Sequence, residues 1–248
     1  MTYHSYFSQM DMQRLPRHIA VIMDGNGRWS QKRGMIRGMG HKAGAESLRA
    51  ATELCRELNI EVLTVYAFST ENWKRPAAEI ELLFKLFSQY LDSEIKTLLD
   101  NDIQLVASGD ISALPEALCK HLQQVMDKTA HCKSMKLNLA LNYGGRQELT
   151  RAMQNIAQKV QSGELQPQDI SMDTISGELY TAGMPDPDLL IRPSGELRLS
   201  NFLLWQCAYS EFYFDDVMWP DFGKEDLCRA IIAYQQRDRR FGAVGEAK

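Results

Sequence analysis

Asp24-Gly25-Asn26-Gly27-Arg28 places a carboxylate, two glycines and a guanidinium directly after the apolar run His18–Met23. Glycines let a backbone come close to a ligand, and its exposed N–H groups can then cradle phosphate oxygens. Arg28 adds a planar cationic fork suited to the same group. Asp24 cannot itself favour an anion; beside a diphosphate its chemistry is to hold Mg²⁺, which bridges carboxylate and phosphate. Taken alone, the segment also reads as an Asx-Gly turn with a solvent-facing arginine. It matches neither the dinucleotide fingerprint nor the P-loop, which argues against a nucleotide site. Arg37 and His41 follow among Gly34, Gly38 and Gly40, just before a helix predicted from Lys42. A helix N-terminus offers unpaired N–H groups to an anion, although the glycines also read as a plain loop with His41 as a cap.

Ser69-Thr70-Glu71-Asn72-Trp73-Lys74-Arg75 supplies hydroxyls, a carboxylate, an amide, an indole and two cations. Loops after buried strands commonly carry function. Glu71 or Asn72 could take or relay a proton, Arg75 could hold a phosphate, and Trp73 could pack on an apolar chain or merely cap the core. Arg192 and Arg198, with Ser194 and Ser200, form a second cationic set far along the chain, which suggests two anionic substrates. Glu211 sits among aromatics in Tyr209-Ser210-Glu211-Phe212-Tyr213-Phe214, where a carboxylate needs an arginine or a metal as partner.

The elements that must position these residues are an alternation of strands and helices. Strands are predicted over His18–Met23, Val62–Phe68, Ile103–Ala107, Lys136–Leu141 and Leu189–Arg192, with a shorter one near Phe212–Phe214. They are continuous apolar runs, as strands covered on both faces are. Helical patterns lie between them, at about Lys42–Leu58, Ala77–Leu99, Leu114–Thr129, Gln147–Gln161, Thr174–Thr181 and Lys224–Arg239. The expected architecture is α/β, a single domain with a largely parallel sheet of about six strands flanked by helices. Ligands gather at the carboxyl ends of such strands, and the chemistry-bearing segments follow the apolar runs. On Ala77–Leu99, Ile80, Leu83, Phe84, Phe87, Leu91, Ile95 and Leu98 make an apolar stripe that Leu82, Leu86 and Tyr90 widen. One side of that helix can face the sheet and the other can line a hydrophobic tunnel, or the helix is packed on two sides.

With 248 residues and 44% hydrophobic content, the chain can bury one large core, and residues 1–248 read as one catalytic domain. Segments 1–16 and 243–248 read as flexible termini, and Ser162–Asp173 as a polar surface excursion. A net charge of −4 leaves no excess of cations for non-specific nucleic-acid binding, so any anionic ligand must meet a local arginine cluster. Five scattered cysteines without metal spacing, and no long apolar span, point to a cytoplasmic protein.

Six segments together resemble the cis-prenyltransferase family, in particular its bacterial undecaprenyl diphosphate synthases. They are Asp24-Gly25-Asn26-Gly27-Arg28-Trp29, Gly40-His41-Lys42-Ala43-Gly44, Tyr66–Trp73 with Arg75-Pro76, Asn142–Arg146, Ser200–Gln206 and Trp219-Pro220-Asp221-Phe222, in order from about Arg17 to Gly242. The resemblance implies sequential condensation of isopentenyl diphosphate onto an allylic diphosphate such as farnesyl diphosphate. The implied product is a long polyprenyl diphosphate, undecaprenyl diphosphate for the cell-wall lipid carrier. Asp24 would be the essential carboxylate at Mg²⁺, joined by Glu211. Gly25, Asn26, Gly27, Arg28, Trp29, Arg37 and His41 would surround the allylic diphosphate, with Ser69, Thr70 and Glu71 lining that site. Asn72 would assist proton removal, and Trp73 and Arg75 would contact substrate. Arg192, Arg198, Leu199 and Ser200 would hold isopentenyl diphosphate. Arg240-Phe241-Gly242 would reach the partner's active site in a homodimer, and membrane contact would be at most peripheral, for product release. Two positions depart from the family pattern: Pro193 replaces a threonine, and Leu197 stands where some relatives carry histidine. The alternatives are a non-catalytic polyprenyl- or diphosphate-binding subunit on the same scaffold, and a nucleotide-binding α/β protein.

Overall fold

A computed structural model describes residues 3–237 of the chain. Six strands form one sheet: β1 (His18–Ile22), β2 (Val62–Ser69), β3 (Ile103–Ser108), β4 (Met135–Tyr143), β5 (Leu189–Arg192) and β6 (Glu211–Phe214). Their order is β3-β4-β2-β1-β5-β6, and every pairing is parallel. The chain winds from β1 toward β2 on one side and returns to place β5 on the other. The carboxyl ends of β1 and β5 therefore flank the point where the winding reverses, the usual crevice for ligands in such sheets.

Among the described residues six α-helices connect the strands, α1 (Asn26–Lys32), α2 (Arg37–Glu57), α3 (Ala77–Asp100), α4 (Glu116–Thr129), α5 (Gly145–Gln161) and α6 (Met172–Gly177), and α7 (Lys224–Gln235) follows β6. Both faces of the sheet are covered. Ile19 and Val21 of β1 join a large core with residues of α2, α3, α4 and α7, whereas Ala20 and Ile22 join a second cluster with Tyr143, Leu190, Phe202 and Leu203. Burial on both faces is why the strands read as unbroken apolar runs rather than as alternating ones.

Three local differences from the sequence-based expectation have physical causes. Asn26-Gly27-Arg28 is the first turn of α1, not a free loop; Gly25 precedes it with φ 93°. A Cβ on Gly25 would lie 2.0 Å from Ser194 Oγ, so only glycine fits there. α2 begins at Arg37, a turn earlier than predicted, because Gly40 is helical: its missing Cβ admits the Asn26 carbonyl, which a side chain would meet at 2.0 Å. The amino-terminal segment, expected to be flexible, instead forms the 3₁₀ helix Tyr3–Gln9, whose Tyr3, Tyr6 and Phe7 pack against the core beside α7. Residues 243–248 lie outside the described residues.

Candidate active site

The strand ends bring nine of the predicted residues to one cavity of about 260 Å³, whereas Ser69, Thr70, Glu71, Arg192, Arg198 and Ser200 are not part of its lining. Asp24, Gly25, Asn26, Gly27, Arg28, Arg37, His41, Asn72 and Arg75 line it, together with Ala45 and Leu48, further along α2, and Leu83, Leu86, Phe87 and Tyr90, further along α3. One cavity thus joins a cationic, hydrogen-bonding end to a hydrocarbon end. The interior is the α2–α3 seam; the apolar excess on one side of α3 is what builds it.

Asp24 sits at the centre of the polar end with its side chain 27% exposed. Arg192 Nη2 donates to its Oδ2 at 2.9 Å, the Gly25 N–H donates to Oδ1 at 2.6 Å, and Arg28 Nη2 lies 3.4 Å from Oδ1. Burial alone would push this carboxyl up; the bonds from Arg192 and Gly25 and the charges of Arg192 and Arg28 outweigh it and hold the group below its usual range. Asp24 is therefore a carboxylate at neutral pH.

Arg192 is 3% exposed, and its Nη1 also donates to Ser200 Oγ at 2.8 Å and to the Arg198 carbonyl. Glu196 accepts from Arg28 at 2.9 Å and from Arg198. The two arginine sets, separate in sequence, are thus one continuous network that shares Asp24 and Glu196. Glu196 stands inside Pro193–Arg198, yet sequence reasoning assigned it nothing, because its role depends on Arg28 arriving from another strand end.

On the other wall, Glu79 of α3 lies between Arg37 at 3.3 Å and Arg75 at 3.1 Å. His41 lies beside them, and its Nε2 is buried with no hydrogen-bond partner. Burial first, and then the Arg75 and Arg37 charges against the opposing Glu79, depress its pKa to about 4, so the ring is neutral. Asn26 Oδ1 and Arg192 Nε are likewise buried and unpartnered. Buried polar atoms normally find partners, so three orphans in this region mark where a polar ligand belongs.

The segment after β2 is the 3₁₀ turn Thr70–Lys74, closed by reciprocal bonds between Ser69 and Asn72. Asn72 Oδ1 accepts the Ser69 N–H at 3.2 Å. Glu71, on the far side of the turn, accepts from Asn201 Nδ2 at 3.0 Å. Burial pushes the Glu71 carboxyl up, but its own backbone N–H, Asn201, Ser69 and Thr70 bring it below its usual range.

Several expected substrate contacts point elsewhere. Trp29 donates its indole N–H to Asp221 at 2.7 Å and lies under Arg33, away from the cavity lining. Trp73 donates to Asn142 at 2.8 Å and packs edge-on against Phe68 and Phe84, as a core cap does. Leu199 joins the second core cluster, and Arg198 is largely exposed. Pro193 is buried at the end of β5, and Leu197 is exposed.

The Asp24–Glu211 pairing is corrected by strand register. Glu211 pairs with Leu189, which pairs with Ile19, five residues before Asp24. At about 3.3 Å per residue the two carboxylates lie roughly 16 Å apart along the strands, Asp24 past the carboxyl end of β1 and Glu211 at the amino end of β6. Glu211 instead binds Arg237 at 2.7 Å, the arginine pairing the sequence left open. Among the described residues no group of three or more His, Cys, Asp or Glu side chains is placed to hold a metal. What remains is a single carboxylate beside an anion site. That fits Mg²⁺, which keeps most of its waters and takes one or two carboxylates plus substrate phosphates. Arg240-Phe241-Gly242 lie outside the described residues.

A parallel α/β sheet with a cation-lined, fat-walled cavity at its switch point defines a protein that handles an anionic amphiphile. Residues 22–242 match the prenyltransferase family model described as "Putative undecaprenyl diphosphate synthase". An isoprenyl transferase of Heliobacterium mobile is 53% identical over 236 residues, covering 95% of this chain and 91% of the relative. One from Clostridium perfringens is 51% identical over 231 residues, 93% of this chain and 91% of that protein. Among solved structures, lavandulyl diphosphate synthase from Lavandula x intermedia in complex with dimethylallyl diphosphate superposes with a TM-score of 0.90 at 39% identity, covering 92% of this chain and 98% of that one. A "probable undecaprenyl diphosphate synthase" from Campylobacter jejuni gives 0.76 at 36% identity, covering 94% and 100%. The chain belongs to the cis-prenyltransferase family of isoprenyl transferases. It is an enzyme, which removes the non-catalytic and nucleotide-binding alternatives. Among the described residues no helix is long and apolar enough to cross a membrane.

Proposed function

We propose that this enzyme adds isopentenyl diphosphate units in succession to an allylic diphosphate, farnesyl diphosphate, and releases a long poly-cis diphosphate of the undecaprenyl type. The observation that carries this reading is the cavity itself: Asp24, Arg28, Arg37, His41 and Arg75 at one end, and Leu48, Leu83, Leu86, Phe87 and Tyr90 at the other. A molecule with a diphosphate head and a hydrocarbon tail satisfies both ends at once. Each buried methylene contributes roughly 0.8 kcal/mol, so a lengthening tail is held more firmly.

In each cycle the allylic C1–O bond breaks and the diphosphate leaves with the electron pair. The π electrons of the isopentenyl double bond form the new bond to C1, and a proton is lost to give the new cis double bond. Arg28, Arg37, Arg75 and the Gly25–Gly27 backbone supply fixed positive charge for the departing anion. His41 presents its unpartnered Nε2, and as a neutral ring it can donate one N–H to a phosphate oxygen without the desolvation cost of a buried cation. Arg192, held by Asp24 and Ser200, extends the cationic surface toward the second diphosphate. Asn72 orients the proton's path; a carboxamide is not a base at neutral pH, so the proton passes on to a phosphate oxygen or water. Asp24 would hold Mg²⁺, which supplies charge neutralisation of the leaving diphosphate when bound. In this reading the protein works in the cytoplasm as a homodimer.

The test is incubation of the pure protein with Mg²⁺, farnesyl diphosphate and labelled isopentenyl diphosphate, followed by analysis of product length and double-bond geometry. Long products with new cis bonds are expected. No incorporation, or a single addition and no more, overturns the reading. Light scattering on the eluted protein checks the dimer.

A further inference from the structure

Two motifs of the sequence, Asn142–Arg146 and Ser200–Gln206, contribute nothing to the cavity lining, yet they meet each other through Asn201. The first N–H groups of a helix have no partner within it. At α5 two of them find one 55 positions along the chain: the Asn201 carbonyl accepts the Gly145 N–H at 2.7 Å, and Asn201 Oδ1 accepts the Arg146 N–H at 2.9 Å. Asn201 Nδ2 donates to Glu71 Oε1 and to Gln147 Oε1, each at 3.0 Å. One residue thus joins the start of α5, the turn after β2 and the segment after β5. Gly144 leaves room for it, since a Cβ there would lie 2.8 Å from Asn201 Nδ2.

Ser200 and Asn201 have φ of 50° and 64°. Asparagine visits the left-handed region routinely; serine does so less readily, and such a backbone persists only where its surroundings enforce it. The bonds of Asn201 are that enforcement. They fix Ser200, whose Oγ accepts from Arg192 Nη1 at 2.8 Å, while Arg192 Nη2 donates to Asp24 at 2.9 Å. A guanidinium is a rigid plane, so holding both Nη atoms also sets the direction of the Nε–H. That Nε is buried without a partner, on a side chain only 4% exposed. A cationic donor left over beside Asp24 suits a phosphate oxygen.

We propose that Asn201 is a positioning residue for the isopentenyl diphosphate side of the site: it holds Ser200, and through Ser200 the Arg192 guanidinium. The proposal rests on the condensation proposed above and adds to it a residue outside the cavity lining. A residue that merely capped α5 would change stability when removed and leave substrate affinity as it was. One that acts through Ser200 changes the affinity for one substrate of the two.

Asn201→Gly keeps the left-handed backbone and deletes the side-chain amide. Ser200→Ala and the double variant complete a cycle that shows whether the two residues act as one. Each full chain, shown to be folded by circular dichroism, is assayed with Mg²⁺, farnesyl diphosphate and labelled isopentenyl diphosphate, and both KM values are read from the first addition. In each single variant KM for isopentenyl diphosphate should rise about tenfold, and in the double variant by no more than that. KM for farnesyl diphosphate should stay within about twofold of wild type. An unchanged isopentenyl KM in folded Asn201→Gly overturns the proposal, as does an equal rise in both KM values or a double variant showing the product of the two single effects. If Asn201→Gly does not fold, Asn201→Asp is read in the same way: it tolerates the same backbone and keeps the acceptor for Arg146, and loses the donor to Glu71. A wild type that incorporates no isopentenyl diphosphate brings down the condensation and this role with it; a working wild type with unaffected variants removes the role alone.

Discussion

Two histidines in this chain, one fully buried and one half-buried, are held neutral, and the difference between their surroundings separates scaffold from site. His18, on β1, is fully buried, and both ring nitrogens are engaged: Nδ1 with the Pro185 carbonyl and Nε2 with Thr64 Oγ1, each at 2.7 Å. The chain of bonds continues across the sheet, because Asn138 donates to Thr64 at 3.1 Å and Ser108 donates to Asn138 at 3.0 Å. This polar ladder ties β1, β2, β4 and β3 together. His41 is half-buried beside two arginines and a glutamate, yet its buried Nε2 has no partner, and Asn26 Oδ1 and Arg192 Nε are left in the same condition. Satisfied buried polar groups specify a fold; unsatisfied ones near cations wait for a ligand.

The strongest way to break that distinction is at Asp24. Asp24→Asn keeps a hydrogen-bond acceptor for Arg192, so the buried arginine is not stranded as it would be in the alanine variant. Turnover should nonetheless fall by about 10³-fold, because the charge that holds the metal is gone. Incorporation of labelled isopentenyl diphosphate measures it, and near-normal turnover would remove Asp24 from the chemistry.

Acid comes next. Both histidines titrate at about 4 in the fold against 6.5 when unfolded, with burial the first cause for each. The unfolded chain then binds more protons as the pH drops. Stability is therefore intact above about pH 6.5, is lost progressively below it, and the loss is complete near pH 4. For fully buried His18 this amounts to about 3 kcal/mol, from about 1.4 kcal/mol per pH unit over the interval. Urea titrations at pH 7.5, 6 and 5 should show it, and a flat midpoint across that series would contradict the neutral buried rings.

Substituting each histidine by alanine sharpens the contrast. His18→Ala leaves the Pro185 carbonyl without its His18 bond and Thr64 with Asn138 alone, and should cost about 2–3 kcal/mol of unfolding free energy, with KM unchanged in the folded protein. His41→Ala breaks no internal hydrogen bond of Nε2, so it should cost little stability while raising KM for the allylic diphosphate about tenfold. Equal effects on stability would erase the proposed difference. The smallest change expected is at Trp73: Trp73→Phe loses the bond to Asn142 and about 1 kcal/mol, seen in thermal melts, with little change in KM, because the indole is not part of the cavity lining.

Legibility from sequence varied with the kind of residue. All six strands lie within a residue or two of their predicted limits, since strands buried on both faces cannot hide among polar residues. Asp24, Arg28, Arg37, His41, Asn72 and Arg75 were legible as a site because strand-following loops put them at one edge of the sheet. Asn26–Lys32 and the first turn of α2 were not, because glycine is a poor helix former and its use here is to let two helices touch. Glu196 was invisible as a bridge, and Glu211 was misplaced, for a common reason: residue type says what a side chain can bind, and only register says what it can reach.

The amino-acid order by itself determined the parallel α/β class, the anion-binding chemistry of the first loop and the apolar excess on α3, because these follow from local composition and periodicity. Tertiary structure decided that two arginine sets form one network around Asp24, and that Trp29 and Trp73 lie outside the cavity lining. Those outcomes depend on contacts between segments far apart in the chain, and such contacts are set by strand order and helix packing rather than by any local pattern.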